Sequence, residues 1–267
     1  MFLNTTTIRA LVRRDGLVVR SYRLGFVLEI SYGVLDLALY FFISRTFEDL
    51  SSTDLGSAPT YFAFAAVGVI IGAVLDATSS SVGYRIREEQ VTGTLEVLST
   101  APVTPLELSL GVVGFPFAFA ALRAGFYLII AAALMDLDVS NVSWPGLALV
   151  LVASGAALAP IGILAGATVL VFKRGHIIAG TIVYLMTILG GMVFPVSVLP
   201  DWIEPLASIV PLTYAFDGAR DAFFAGGGWA YDVLVLTAWA LILWPTAVFL
   251  LGRASAFART AGSLSEY

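Results

Sequence analysis

The chain has no cysteine, a single histidine, His176, and a single lysine, Lys173. Without cysteine there are no disulfides, no thiolate metal sites and no cysteine nucleophile. One histidine excludes a histidine-based metal cluster. Charge is also scarce: Asp, Glu, Lys and Arg make up 12% of 267 residues, about half the usual share. The net charge of −5 argues against a nucleic-acid partner. Lys173 stands in Phe172-Lys173-Arg174 without a Gly-rich run before it. The phosphate cradle of a Walker A loop is therefore missing. What the chain has in abundance is hydrocarbon, with 59% hydrophobic residues besides 25 glycines. A soluble protein of 28.3 kDa cannot bury that much apolar surface and still cover itself with charge.

The apolar residues come in blocks. A helix needs about 20 of them to cross roughly 30 Å of hydrocarbon. Six stretches qualify: about 25–44, 61–82, 108–134, 147–172, 177–199 and 233–252. None alternates as a barrel strand does, so the expected fold is an all-α polytopic membrane protein with six transmembrane helices. The first 23 residues carry five arginines and no small-residue cleavage site, so they do not read as a signal peptide. With the N-terminus in the cytoplasm, eleven basic residues face inward, and Arg45 and Arg220 face outward. This asymmetry predicts a cell-membrane protein with both termini cytoplasmic. Gly68/Gly72 and Gly162/Gly166 have the spacing of close helix contacts.

Three segments are not spans. Residues 5–23 place Ile8, Leu11, Val12 and Val18 along one side and arginines mostly on another. That pattern suits an interfacial helix on the lipid surface. Residues 83–107 exceed the length that a plain connector needs. Thr94 can cap a short helix that presents Leu95, Glu96 and Leu98, with Pro102 and Pro105 as stops. The third segment, 195–224, begins with Pro195, Pro200, Pro205 and Pro211 within 17 residues. The apolar pieces 202–210 and 212–224 are too short to span, so they read as re-entrant or interfacial helices. Pro211 suits a first helical position. The aromatic residues here, among them Trp202, Tyr214 and Phe216, suit either a headgroup belt or an outer gate.

The run Arg87 through Pro102, centred on Gly93-Thr94-Leu95-Glu96-Val97-Leu98, is one of two distinctive stretches. The other is Gly190-Gly191-Met192-Val193-Phe194-Pro195, continuing through Leu199-Pro200 to Pro211-Leu212-Thr213-Tyr214 and Arg220. Both resemble the permeases of type-2 ATP-binding-cassette (ABC) exporters, and the order of parts agrees over nearly the whole chain. The resemblance implies one transmembrane permease domain over 1–267. It also implies a coupling helix at Gly93, Thr94, Leu95, Glu96 and Leu98 that docks on a separate ATPase subunit. A re-entrant pair that helps close the pathway is expected around Phe194, Pro195, Pro200, Trp202, Pro211, Tyr214 and Phe216. ATP and Mg would be bound by the partner, with no cofactor and no catalytic residue in this chain. The working unit would include a second permease chain, identical or not. The substrate would be a lipid, a lipid-linked glycan or a hydrophobic drug.

Four ionisable residues lie within the expected spans: Glu29, Asp36, Asp76 and Arg123. Each costs about 2.5–3.5 kcal/mol at mid-bilayer unless paired or wet. Asp36 and Arg123 lie at similar depths, which predicts an ion pair, while Glu29 and Asp76 lie nearer the cytoplasm. The alternative use of these charges is an ion or proton relay in a secondary transporter. A hydrolase built on Ser154 and His176 is opposed by geometry, since their heights differ by roughly 25–30 Å.

Overall fold

The computed structural model describes residues 9–10, 12–14, 16–17, 23–46, 55–91, 105–171, 175–225 and 227–261. Its long helices are α1 (Arg23–Thr46), α2 (Tyr61–Val91), α3 (Pro105–Leu134), α4 (Trp144–Val171) and α5 (Gly175–Leu189). Two short helices follow, α6 (Glu204–Ala207) and α7 (Pro211–Arg220), and then α8 (Ala230–Ala261). A 3-10 turn at Val196–Val198 precedes α6, and a π turn at Asp221–Ala225 follows α7. No strand occurs among the described residues.

Among the described residues four helices are long and apolar enough to cross a membrane, over Tyr61–Ser79, Gly114–Leu134, Trp144–Val169 and Ala230–Ala254. The stretches expected as the first and fifth spans correspond to α1 and α5. Helix α1 has the length of a span, at 24 residues. Helix α5 has 15 residues and stops where Gly190 and Gly191 begin. Gly191 adopts φ 75°, a left-handed conformation that ends helices and that glycine adopts at little cost. Residues 83–91, expected as loop, continue α2, because Arg, Glu and Gln sustain a helix. Pro105 opens α3, where the missing N–H has no intrahelical role.

Helix α2 forms the centre, packed along α4 and α3, and α8 packs along α4. One core cluster joins Val67, Val74 and Leu75 of α2 to Leu158 of α4 and Phe216 of α7. Close approach depends on glycine: a Cβ on Gly162 would collide with the Ser79 carbonyl of α2. Gly68 has a different neighbour from the helix that its spacing suggests, since it lies against the Met192 carbonyl just beyond α5. Thr78 and Ser79 are buried and return their hydroxyls to the Val74 and Leu75 carbonyls at 2.7 and 2.8 Å. This suits a medium without water to bond them.

Helix α4 contains Pro160, which lacks the N–H that would bond the Ala156 carbonyl one turn back. Trp244 of α8 supplies the donor: its indole Nε1 donates to Ala156 O at 2.8 Å. The proline break in one helix is thus closed by a side chain from its neighbour.

Beyond α5 the chain is held by Arg220, the last residue of α7, whose side chain is 3% exposed. Its guanidinium stacks on the Phe64 ring of α2 at 3.5 Å from the centroid. Nη2 donates to the carbonyls of Gly191 at 2.7 Å and Met192 at 2.9 Å. Nε donates to Phe64 O at 3.4 Å, and Nη1 pairs with the half-exposed Asp217 at 3.3 Å. Burial pushes the Arg220 pKa down to about 10, opposed by Asp217, and the side chain stays charged at neutral pH. The sequence counts Arg220 as an outward-facing charge; the structure buries it as the clamp between α2, α7 and the end of α5.

Two stability predictions follow from these bonds. Trp244→Phe should cost about 1 kcal/mol, read as a lower thermal inactivation temperature of the detergent-purified protein. In a Pro160→Ala background, which restores the helical donor, the same change should cost close to nothing. Arg220→Met should cost about 3–5 kcal/mol because a buried network loses its cation. Arg220→Lys should recover less than half of that, since an ammonium cannot reproduce the fork. Asp217→Asn should cost under about 1 kcal/mol, measured by heating and size-exclusion recovery. Equal losses for Asp217→Asn and Arg220→Met would assign the clamp to the ion pair rather than to the carbonyls.

Candidate functional site

Asp36, Asp76 and Arg123, three of the four ionisable residues expected within the spans, line one cavity of about 410 Å³ between α1, α2, α3 and α5. Asp36 and Tyr32 of α1 line it, with Asp76 of α2, Arg123 and Tyr127 of α3, and Tyr184 of α5. The helices meet here because small residues let them approach. Gly33 of α1 accommodates the Tyr127 ring, and a Cβ there would strike it. Gly72 of α2 leaves room for the Met192 side chain. Gly180 of α5 also faces the cavity, and a Cβ there would meet nothing within 4 Å.

Within the cavity the charges are held unequally. Arg123 is buried at 9% exposure, and its Nη2 donates to the Ala73 carbonyl of α2 at 3.3 Å. Asp36 and Asp76 are exposed on the cavity side of their helices. Among the described residues Asp36 makes no ion pair within 4 Å. The expected bond between Asp36 and Arg123 is therefore replaced by a shared wall: α1 and α3 bring the two to the same chamber without joining them. Asp76, expected nearer the cytoplasm, is a third member of that wall. Glu29 lies on α1; its side chain falls outside the described residues.

A second hollow adjoins the first. Ile30 of α1 and Phe119, Leu122, Phe126 and Ile129 of α3 line an apolar groove of about 590 Å³. Arg123 lines both hollows, and so does no other residue.

Segment 195–224 separates into exposed and buried parts. Pro200 and Trp202 are exposed, Trp202 at 76%. Phe194 and Pro195 are half-buried in the turn after α5. Pro211 is buried and opens α7 as the first helical residue. Tyr214 donates its hydroxyl to Ser208 O at 2.8 Å and meets the Tyr231 ring edge-on at 6.4 Å. Phe216 is wholly buried in the main core, so it packs the bundle and does not face an opening. Pro195, Asp217, Arg220 and Asp221 border a small hollow of about 190 Å³ with Leu55–Ser57 of the α1–α2 connection. Arg45 and Asp136, both expected outside, meet at 3.5 Å. Ser154 is fully buried in α4, so no substrate can reach its hydroxyl. Gly93, Thr94, Leu95, Glu96 and Leu98 lie outside the described residues.

Sequence reasoning missed the clamping role of Arg220 and the three tyrosines of the cavity. The signal for the first was present, a lone arginine in an apolar helix beside Gly190-Gly191. The tyrosines are spread over three helices and carry no common spacing.

With this geometry in place, comparison with known proteins identifies the lineage. Residues 6–224 match the family described as ABC-2 type transporter. The chain is also similar to Nodulation protein J of Sinorhizobium fredii, at 29% identity over 201 residues, which are 72% of this chain and 74% of that protein. A family match over most of the length, on a bundle of apolar helices that can cross a membrane, shows that the chain belongs to the ABC-2 type transporter family.

Proposed function

We propose that this chain is the membrane-spanning permease subunit of an ABC exporter, driven by a separate ATPase subunit that binds ATP and Mg. It would sit in the cell membrane with six spans, both termini in the cytoplasm, and 5–23 on the inner lipid surface. The outer segment 195–224 would form the re-entrant pair. A second permease chain would complete the pathway, and the substrate would be a lipid, a lipid-linked glycan or a hydrophobic drug.

One observation carries this reading. Helix α2 is unbroken from Tyr61 to Val91. Near its start Phe64 is held by Arg220. Further along, Asp76 lines the charged cavity. At its end Val91 stands two residues before Gly93. A rigid rod of about 1.5 Å per residue therefore joins the outer clamp, the cavity and the segment proposed to dock on the ATPase. Movement of that segment would tilt α2, loosen or tighten the clamp, and reshape the cavity. Charged walls inside the bundle suit such a pathway, because ionisable groups at membrane depth mark substrate or ion routes.

Glu96 near the start of a short helix favours the helix dipole and can meet a basic residue on the ATPase. Glu96→Arg and Leu98→Asp should each cut export about tenfold or more, the factor expected when a buried charge pair is broken, while the permease still inserts. Glu107→Arg, at the start of α3, should leave export near the native level. Co-purification of the ATPase, ATP hydrolysis and substrate export are the measurements. If Glu96→Arg and Leu98→Asp leave all three intact, the segment is only a connector. Asp36 and Asp76 in one cavity would then favour a secondary transporter that uses them as a relay.

A further inference from the structure

The charged cavity and the apolar groove meet at Arg123, and their chemistry is complementary to one kind of molecule. The groove offers hydrocarbon between α1 and α3. The cavity offers Asp36, Asp76 and the hydroxyl-bearing rings of Tyr32, Tyr127 and Tyr184 beside a single guanidinium. Arg123 is turned toward the α2 backbone through its bond to Ala73 O. The carboxylate of Asp36 remains exposed on the cavity side with no ion pair among the described residues. A carboxylate at membrane depth is costly until something offsets it. Acidic groups beside several aromatic faces are the recognition chemistry of an ammonium group, by Coulomb attraction and cation–π contact.

We propose that the two hollows form one binding site for a cationic amphiphile, with the ammonium group between Asp36 and the tyrosines and the alkyl chain in the α1–α3 groove. This deepens the permease reading by naming the charge and shape of its substrate, and it rests on that reading. An anionic headgroup is disfavoured by Asp36. A permanently neutral headgroup would leave the Asp36 carboxylate without a counterion.

Two glycines allow a test with little risk to folding. A Cβ on Gly125 in the groove, or on Gly180 in the cavity, meets nothing within 4 Å, so larger side chains there fill the hollows themselves. The full chain in phosphatidylcholine nanodiscs would be titrated with radiolabelled dodecyltrimethylammonium, with protein-free discs subtracted. Saturable binding is expected, displaced by unlabelled dodecyltrimethylammonium and not by dodecyl sulfate at the same concentration. Asp36→Asn and Gly180→Leu should each weaken binding about tenfold or more. Gly125→Leu should weaken the dodecyl probe while leaving competition by butyltrimethylammonium unchanged. Equal displacement by dodecyl sulfate would overturn the assignment, and so would native binding in both Asp36→Asn and Gly180→Leu. A chain that fails these binding tests but still recruits an ATPase and exports loses only the ammonium assignment. A chain that passes them but neither recruits an ATPase nor exports loses only the permease reading.

Discussion

Inside hydrocarbon no water is available to bond a stray backbone carbonyl, so every break in a helix must be answered from within the protein. Two breaks in this fold are answered by a side chain from elsewhere. Pro160 removes a donor in α4, and the indole of Trp244 replaces it. The stop of α5 at Gly190-Gly191 leaves carbonyls exposed, and Arg220 caps those of Gly191 and Met192. The second answer has the wider reach, because the same guanidinium also stacks on Phe64 and bonds its carbonyl. Capping one helix end therefore locks segment 195–224 onto the central helix.

The charged cavity is the place where this rule is not met by the chain alone. Asp36 lies on a helix with the length of a span and faces a hollow instead of a partner. Thr78 and Ser79, a few residues along α2 from the cavity, show the contrast, since both return their hydroxyls to the backbone. A membrane bundle that satisfies Thr78 and Ser79 from its own backbone, yet leaves a carboxylate facing open space, reserves that space for something polar. The proposed permease function would give the reservation a purpose, and α2 would link it mechanically to both ends of the bundle.

Much of the architecture was legible in the sequence because hydropathy over 20 residues reports directly on the cost of burying polar groups. Residues 61–82 and 108–134 were recognisable on that ground alone. Pro211 announced the start of α7, since its ring presets the first helical turn. The boundaries that misled did so for physical reasons. Charged helix formers at 85–90 looked like loop, yet they extend α2 to Val91. The apolar run 177–199 hid a break that depends on the φ of one residue, Gly191. The site was less legible than the fold. Asp36, Asp76 and Arg123 stood out as charges among apolar residues, and all three reached one cavity. Their mutual geometry depends on helix rotation, which no one-dimensional pattern specifies, so the expected Asp36–Arg123 bond became a shared wall. Phe216 and Trp202 look alike by composition, but one ended in the core and the other in the open.

The central claim is that the cavity lies on a route opened and closed by a partner's ATP cycle. The cysteine-free chain allows a direct measurement: a single Gly180→Cys substitution reports from the cavity wall, and Ser140→Cys reports from the α3–α4 connection. Both would be prepared in the complex with the ATPase, and the rate of labelling by an impermeant thiol reagent would be compared between the nucleotide-free state and the state trapped with ATP and vanadate. The account predicts a change of about tenfold or more at Gly180→Cys, as expected for a group passing between wet and occluded settings, and none at Ser140→Cys. Equal rates at Gly180→Cys in the two states would contradict it.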